Sequence, residues 1–163
     1  MIRNQKGFSL IELIVVVAIL GIVGIGGMLS LSFATRQDAE SCATQIEGYL
    51  GRTRTYALSR EASSLTVYAK SDGVYVQVDT GMETKIGKYG MTVSFKDGSG
   101  TQEALTESNK LYITFDRSSG AFLTKTIAGG TETPVECREL AITGGKTVRI
   151  VMVPATGKYY IEE

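Results

Sequence analysis

The chain has no histidine. That removes the commonest general base, the usual base of a catalytic triad and the commonest zinc ligand together. Neither sign of charge is in excess: Lys+Arg and Asp+Glu stand at 17 each, so no overall field draws the protein to nucleic acid or to an anionic membrane. Cysteine is scarce. Cys42 and Cys137 are the only two, far apart and without CxxC or zinc-ligand spacing. They are either two buried thiols or one bridge, which would close a loop of about 95 residues and be worth roughly 4 to 5 kcal/mol in the chain-entropy account. Phosphate-binding patterns are missing as well, with no GxGxxG after a strand and no Walker lysine. Asp97-Gly98-Ser99-Gly100 offers one aspartate where a calcium loop needs several acids. Hydroxyls and carboxylates are plentiful, but no histidine is there to activate them. Neither catalysis, a metal nor a cofactor is expected.

What the chain does have is a long apolar run near its start. Its 163 residues suffice for one domain with an appendage. From Phe8 to Leu31 the only ionisable residue is Glu12, and about 20 apolar residues cross a bilayer's hydrocarbon core as a helix. Arg3, Lys6 and the α-amine precede the run, whereas the next cation, Arg36, sits among Asp38 and Glu40. The positive-inside rule therefore puts the N-terminus in the cytoplasm and everything beyond about residue 32 outside. A conventional signal peptide is the competing reading, with Ser32-Phe33-Ala34 as its cleavage site. Against it, the run is longer than a usual signal core, and a carboxylate near its start is costly in a segment about to be discarded. On the physics alone, Glu12 either snorkels to the interface or has a partner.

The string Lys6-Gly7-Phe8-Ser9-Leu10-Ile11-Glu12-Leu13 resembles the processing and methylation site of type IV pilins and type II secretion pseudopilins. The resemblance implies that a prepilin peptidase cuts between Gly7 and Phe8, that Phe8 becomes the N-methylated first residue, and that Glu12 is the glutamate used in assembly. It also gives Glu12 its partner. Cleavage creates an ammonium at Phe8, and the carboxylate of one subunit can pair with the amine of its neighbour. In low dielectric the pair attracts, while either charge alone is expensive, so Glu12 penalises wrong register more than it adds stability. The partners implied are prepilin peptidase, other pilin or pseudopilin subunits, the inner membrane and an assembly platform.

Gly21, Gly24, Gly26 and Gly27 fall late in the run, each costing a helix interior up to about 1 kcal/mol. Either they let helices pack closely in lipid, or they form a segment that melts in the filament; with no proline in the region, melting is the favoured reading. After Thr35 the pattern turns amphipathic: Ala39, Cys42, Ala43, Ile46, Tyr49, Leu50, Thr53, Tyr56 and Ala57 recur at three- and four-residue steps. Thr35-Arg36-Gln37-Asp38 reads as a capping box at which the helix can restart. Arg36, Asp38, Glu40, Glu47 and Arg54 fall mostly off the stripe.

From Leu65 onward the period is two. "SLTVYAKSDGVYVQV" reads as two strands about an Asp72-Gly73 turn, "MTVSF" as a strand, and "LYITFDRSSGAFLTKTI" as a second hairpin. "RELAIT", "VRIVMVP" and "KYYIE" complete the set, with turns at Gly144-Gly145 and Ala155-Thr156-Gly157. "VRIVMV", apolar at successive positions, reads as a central strand buried on both faces. Pro134 and Pro154, the only two prolines, sit at strand ends.

The fold expected is α+β, a pilin fold. It comprises a leader over 1–7, a membrane-spanning and filament-core helix over 8–31, an amphipathic continuation over 32–62 and an antiparallel β domain over 63–163. "YALSREASSLTVYA", "ITFDRSSGAF" and "IVMVPATGKYYI" make the second half most similar to the minor pseudopilin H type and to FimT-like minor pilins. Because some FimT-like pilins take up DNA, Arg36, Arg52, Arg54, Arg60, Lys146, Arg149 and Lys158 are the candidate phosphate contacts. Loss of the leader leaves 15 cations against 17 anions, however, and no clustered basic patch is visible. With the chain outside the cytoplasm, a Cys42–Cys137 disulfide is the alternative to two buried thiols. The expectation is a non-enzymatic, single-pass subunit that enters an extracytoplasmic filament.

Overall fold

A computed structural model describes residues 10–59 and 62–162, with the side chains of 21–36 outside that description. The chain divides into two compact units, Met1–Ala34 and Thr35–Glu163. Among the described residues one helix, α1 (Leu10–Leu58), precedes eleven strands: β1 (Ser64–Lys70), β2 (Gly73–Val78), β3 (Thr84–Lys85), β4 (Thr92–Asp97), β5 (Gln102–Leu105), β6 (Asn109–Phe115), β7 (Phe122–Ala128), β8 (Thr131–Pro134), β9 (Cys137–Thr143), β10 (Thr147–Val153) and β11 (Lys158–Glu162). A helix followed by antiparallel sheets is the α+β arrangement expected. Thr35 lies inside α1 and starts no second helix. The helix stops at Leu58, short of the expected residue 62, where Ser59 folds back. Its N–H donates to Thr55 O and its Oγ to Tyr56 O at 3.0 Å, and those bonds close the last turn.

In the Thr35–Glu163 unit every strand pairing is antiparallel, giving a six-stranded sheet in the order β3-β2-β1-β6-β7-β8 and a five-stranded one in the order β11-β10-β9-β4-β5. One apolar cluster joins both sheets to the helix. Ala39, Cys42, Ala43, Ile46 and Leu50 of α1 share it with Leu65, Val67, Leu111 and Ile113 of the first sheet and Phe95, Ile142 and Ile150 of the second. The amphipathic stripe is thus buried as expected at Thr53 and Ala57 too, while Tyr49 is half-buried and Tyr56 stands exposed. β10 has strand neighbours on both sides, but only Val148, Ile150 and Met152 are buried. Val151 is half-buried and Val153 exposed, so the strand is covered on one face rather than two. Val153 lines a cleft beside β7.

The turns are fastened by short polar side chains. Asp116 Oδ1 accepts the N–H and hydroxyl of both Ser118 and Ser119, and those bonds hold its carboxyl well below the usual range. Gly157 ends the turn after β10 at φ 62°, and a Cβ there would come within 1.9 Å of Gly120 O. Only glycine fits that crossing of two turns. Asp79, the one described non-glycine residue with positive φ (52°), accepts Ser64 N–H at 2.6 Å and Ser63 Oγ at 3.3 Å. This ties the end of β2 to the chain entering β1.

Candidate functional site

In the Met1–Ala34 unit the described side chains are those of residues 10–20, and every one is exposed. All but Glu12 are apolar, with Leu10 at 78 % and Ile11 at 69 % exposure. A helix that is apolar all round requires an apolar medium, either lipid or other helices. Glu12 lies in the first described turn of α1. Among the described residues no helix is long and apolar enough to cross a membrane. The expected span, 8–31, extends over side chains outside that description. The leader 1–7, the Gly7–Phe8 bond and the N-methylation site Phe8 lie outside the described residues altogether. Gly21, Gly24, Gly26 and Gly27 fall within α1, and their surroundings are likewise not described.

In the Thr35–Glu163 unit, three charged residues off the apolar stripe are fastened to the connections between strands. Asp38 pairs with Lys88 at 2.7 Å, Glu40 with Lys146 at 3.4 Å, and Arg54 Nη2 donates to Thr156 O at 3.2 Å. These contacts flank the buried stripe along its length and hold residues 38–54 as part of the domain. Three of the candidate phosphate contacts are thereby engaged elsewhere: Lys146 with Glu40, Arg54 with Thr156, and Arg149 with Glu139 at 3.2 Å. Arg52 stacks on Tyr49. The side chain of Arg36 and all of Arg60 lie outside the described residues.

Cys42 and Cys137 are both buried free thiols, the first of the two alternatives left open by the sequence. Cys137 Sγ lies 3.7 Å from Met152 Sδ, a soft contact inside the core. Burial pushes both thiols up to about 12, where they are poor nucleophiles and poor ligands at neutral pH. Asp97 uses its carboxylate to brace its own turn, Oδ1 accepting Ser99 N–H at 2.9 Å and Thr101 N–H at 2.8 Å. Among the described residues no group of three His, Cys, Asp or Glu side chains is placed to hold a metal.

One feature was not anticipated from the sequence. A cleft of about 1210 Å³ opens beside β7, between its first residues, the β8–β9 connection and the end of β10. Leu123 and Val153 stand exposed on its rim. A signal for it was present: Phe122 and Leu123 are adjacent apolar residues in a strand, so they point to opposite faces, and with Phe122 buried Leu123 is left on the outer one.

Residues 2–28 match the family model of the prokaryotic N-terminal methylation motif. The methylation motif takes in Gly7, Phe8 and Glu12 together with the apolar run as far as Met28, and it supports a prepilin-type segment of the kind processed by prepilin peptidase. It stops short of the β domain. No curated protein and no solved structure matches the chain.

Proposed function

We propose that this chain is a structural, non-enzymatic subunit, in a minor role, of a type IV pilus or type II secretion pseudopilus. Prepilin peptidase cleaves Gly7–Phe8, Phe8 is N-methylated, and the segment from Phe8 to about Leu31 waits in the inner membrane with the N-terminus cytoplasmic. The subunit then enters an extracytoplasmic filament by helix packing. The observation that carries this reading is the methylation motif over 2–28, which overlaps a helical stretch, 10–20, exposed throughout and apolar save at Glu12. Such a surface is stable only when covered, and lipid followed by neighbouring helices covers it in turn.

Glu12 is the assembly residue in this scheme. Moving from membrane to filament, its carboxylate pairs with the amine of a neighbouring Phe8, and an unpaired charge among apolar helices is costly enough to select the register. The test is Glu12→Ala in cells that contain the peptidase. Processing and methylation should continue while incorporation into filaments is lost; normal filament yield from the variant would refute the pairing.

A further inference from the structure

We propose that β11 is an acceptor edge, which takes up as an added antiparallel strand an extended segment of a different subunit. From its N-terminus that segment reads basic, apolar, apolar, apolar, acidic. The choice of a different subunit over a second copy rests on the assembly reading above; the open edge does not.

The outer strands of the two sheets are β3, β8, β5 and β11. An outer strand leaves N–H and C=O groups unpaired, and proteins blunt such edges with short strands, proline, charge or a covering group. Three of the four are blunted in these ways. β3 has only two residues, β8 ends on Pro134, which lacks an N–H, and on β5 the carbonyl of Ala104 accepts Asn109 Nδ2 at 3.1 Å. β11 has no such device. Its five residues hold no proline and pair with β10 without a break, from Arg149↔Glu162 to Val153↔Lys158. Among the described residues, the backbone of 159–162 is hydrogen-bonded to no strand other than β10.

Side chains alternate along β11 and decide what can lie beside it. Tyr159 and Ile161 are half-buried against the core, whereas Lys158, Tyr160 and Glu162 stand exposed on the other face. Neither Lys158 nor Glu162 has an ion-pair partner among the described residues. Arg149, across from Glu162 on β10, is held by Glu139 at 3.2 Å. In an antiparallel pair, residues directly opposite one another come close enough for opposite charges to attract and like charges to repel. Complementarity therefore asks for an acid opposite Lys158, an apolar or aromatic residue opposite Tyr160 and a base opposite Glu162. The two residues between them lie beside Tyr159 and Ile161 and are apolar. In strand addition the main-chain bonds supply affinity, and the alternate side chains supply specificity.

A second copy meets this requirement only in an orientation that anchored chains cannot adopt. β11 is the only described strand with a base four residues before an acid, so a second copy could answer only with its own β11. That pairing is two-fold about an axis normal to the sheet, and it reverses every direction lying in the sheet. From Ala39 to Ala57 the apolar stripe of α1 is buried in the cluster shared with both sheets, so the helix runs along them. The two helices would then point opposite ways. Subunits whose N-termini share one membrane point the same way, so the added strand comes from another chain. A minor subunit, whose neighbours are unlike itself, has use for such an edge.

The probe is a peptide capped at both ends, Lys-Val-Tyr-Val-Glu, added at millimolar concentration to the full-length chain in detergent and followed by amide NMR and hydrogen exchange. The amides of β11 should shift and exchange more slowly, while those of β3, β5 and β8 stay unchanged. The charge-exchanged peptide Glu-Val-Tyr-Val-Lys should bind about fivefold more weakly, because both end pairs become like-charged. The double variant Lys158→Glu/Glu162→Lys should invert that preference, a reversal that simple damage to the strand would not produce. No response at β11, or an equal response at the other edges, overturns the proposal. Equal binding of the two peptides by the wild type overturns the charge-set register. Slowed exchange of β11 in the chain alone, growing with its concentration, overturns the choice of another subunit in favour of a second copy. The peptide is read without filaments, so its failure to bind leaves the assembly reading standing, whereas a chain that binds it yet never enters filaments keeps the edge and overturns that reading.

Discussion

Raising the pH under reducing conditions should unfold this protein in a way set by its two thiols. Cys42 and Cys137 are fully buried and unbridged, and burial lifts both from about 9 to about 12. A group whose acid dissociation is suppressed in the folded state contributes stability that is complete below its ordinary value and is lost as pH climbs toward the raised one. Between pH 8 and pH 10 each unfolded-state thiol ionises while its folded counterpart does not, a loss on the order of 1 kcal/mol per thiol and on the order of 2 to 3 kcal/mol for the pair. Urea midpoints of the full-length chain in detergent, measured with reductant across that range, give the slope. The double variant Cys42→Ala/Cys137→Ala supplies the background from lysines and tyrosines. Subtracting it should leave the thiol contribution. A wild-type slope equal to that of the variant would refute the reasoning. Loss of stability on adding reductant at pH 8 would show that the native protein carries the disulfide instead.

Gly157→Ala should destabilise by about 2 to 4 kcal/mol, since a side chain at φ 62° is strained and its Cβ would sit 1.9 Å from Gly120 O; equilibrium unfolding checks it. Ile46→Ala should cost about 2 to 5 kcal/mol because Ile46 is wholly buried in the cluster shared by helix and sheets. Tyr56→Ala, on the same helix but 43 % exposed, should cost less than about 1 kcal/mol by the same unfolding assay, and equal costs at the two sites would contradict the helix placement.

The elements legible in the sequence were those that bury an alternating face. β1, β2, β4, β6, β10 and β11 carry apolar residues at every second position, because each packs on the common cluster, and β7 and β9 were legible from their neighbouring turns and short apolar runs. β3, β5 and β8 were not legible. All three lie at sheet edges or pair only one neighbour, Thr84–Lys85 and Thr131–Pro134 are exposed throughout, and only Leu105 of β5 is buried. An edge strand can be short, charged and proline-ended because it leaves one side unpaired, and those features erase the pattern that marks a strand. The helix stripe was legible for the same reason that Tyr56 misled. Three- and four-residue spacing gathers residues loosely on one side, but at about 100° per residue Tyr56 falls on the flank of the stripe while its neighbour Ala57 is buried at the centre. The cleft was the least legible part, since its lining comes from β6, β7, the β8–β9 connection and β10, which only the tertiary fold brings together.

The N-terminal motif differs from all of these in being local: Gly7, Phe8 and Glu12, the residues the proposal uses, fall within one matched segment, so neighbours in sequence are enough to define it. The central claim therefore has a direct readout. The chain is produced together with a prepilin peptidase, and the N-terminus of the product is determined by mass spectrometry and sequencing. A protein beginning at N-methylated Phe8 is the result predicted; one beginning at Thr35, or one retaining Met1 through Gly7 in the presence of active peptidase, would contradict it.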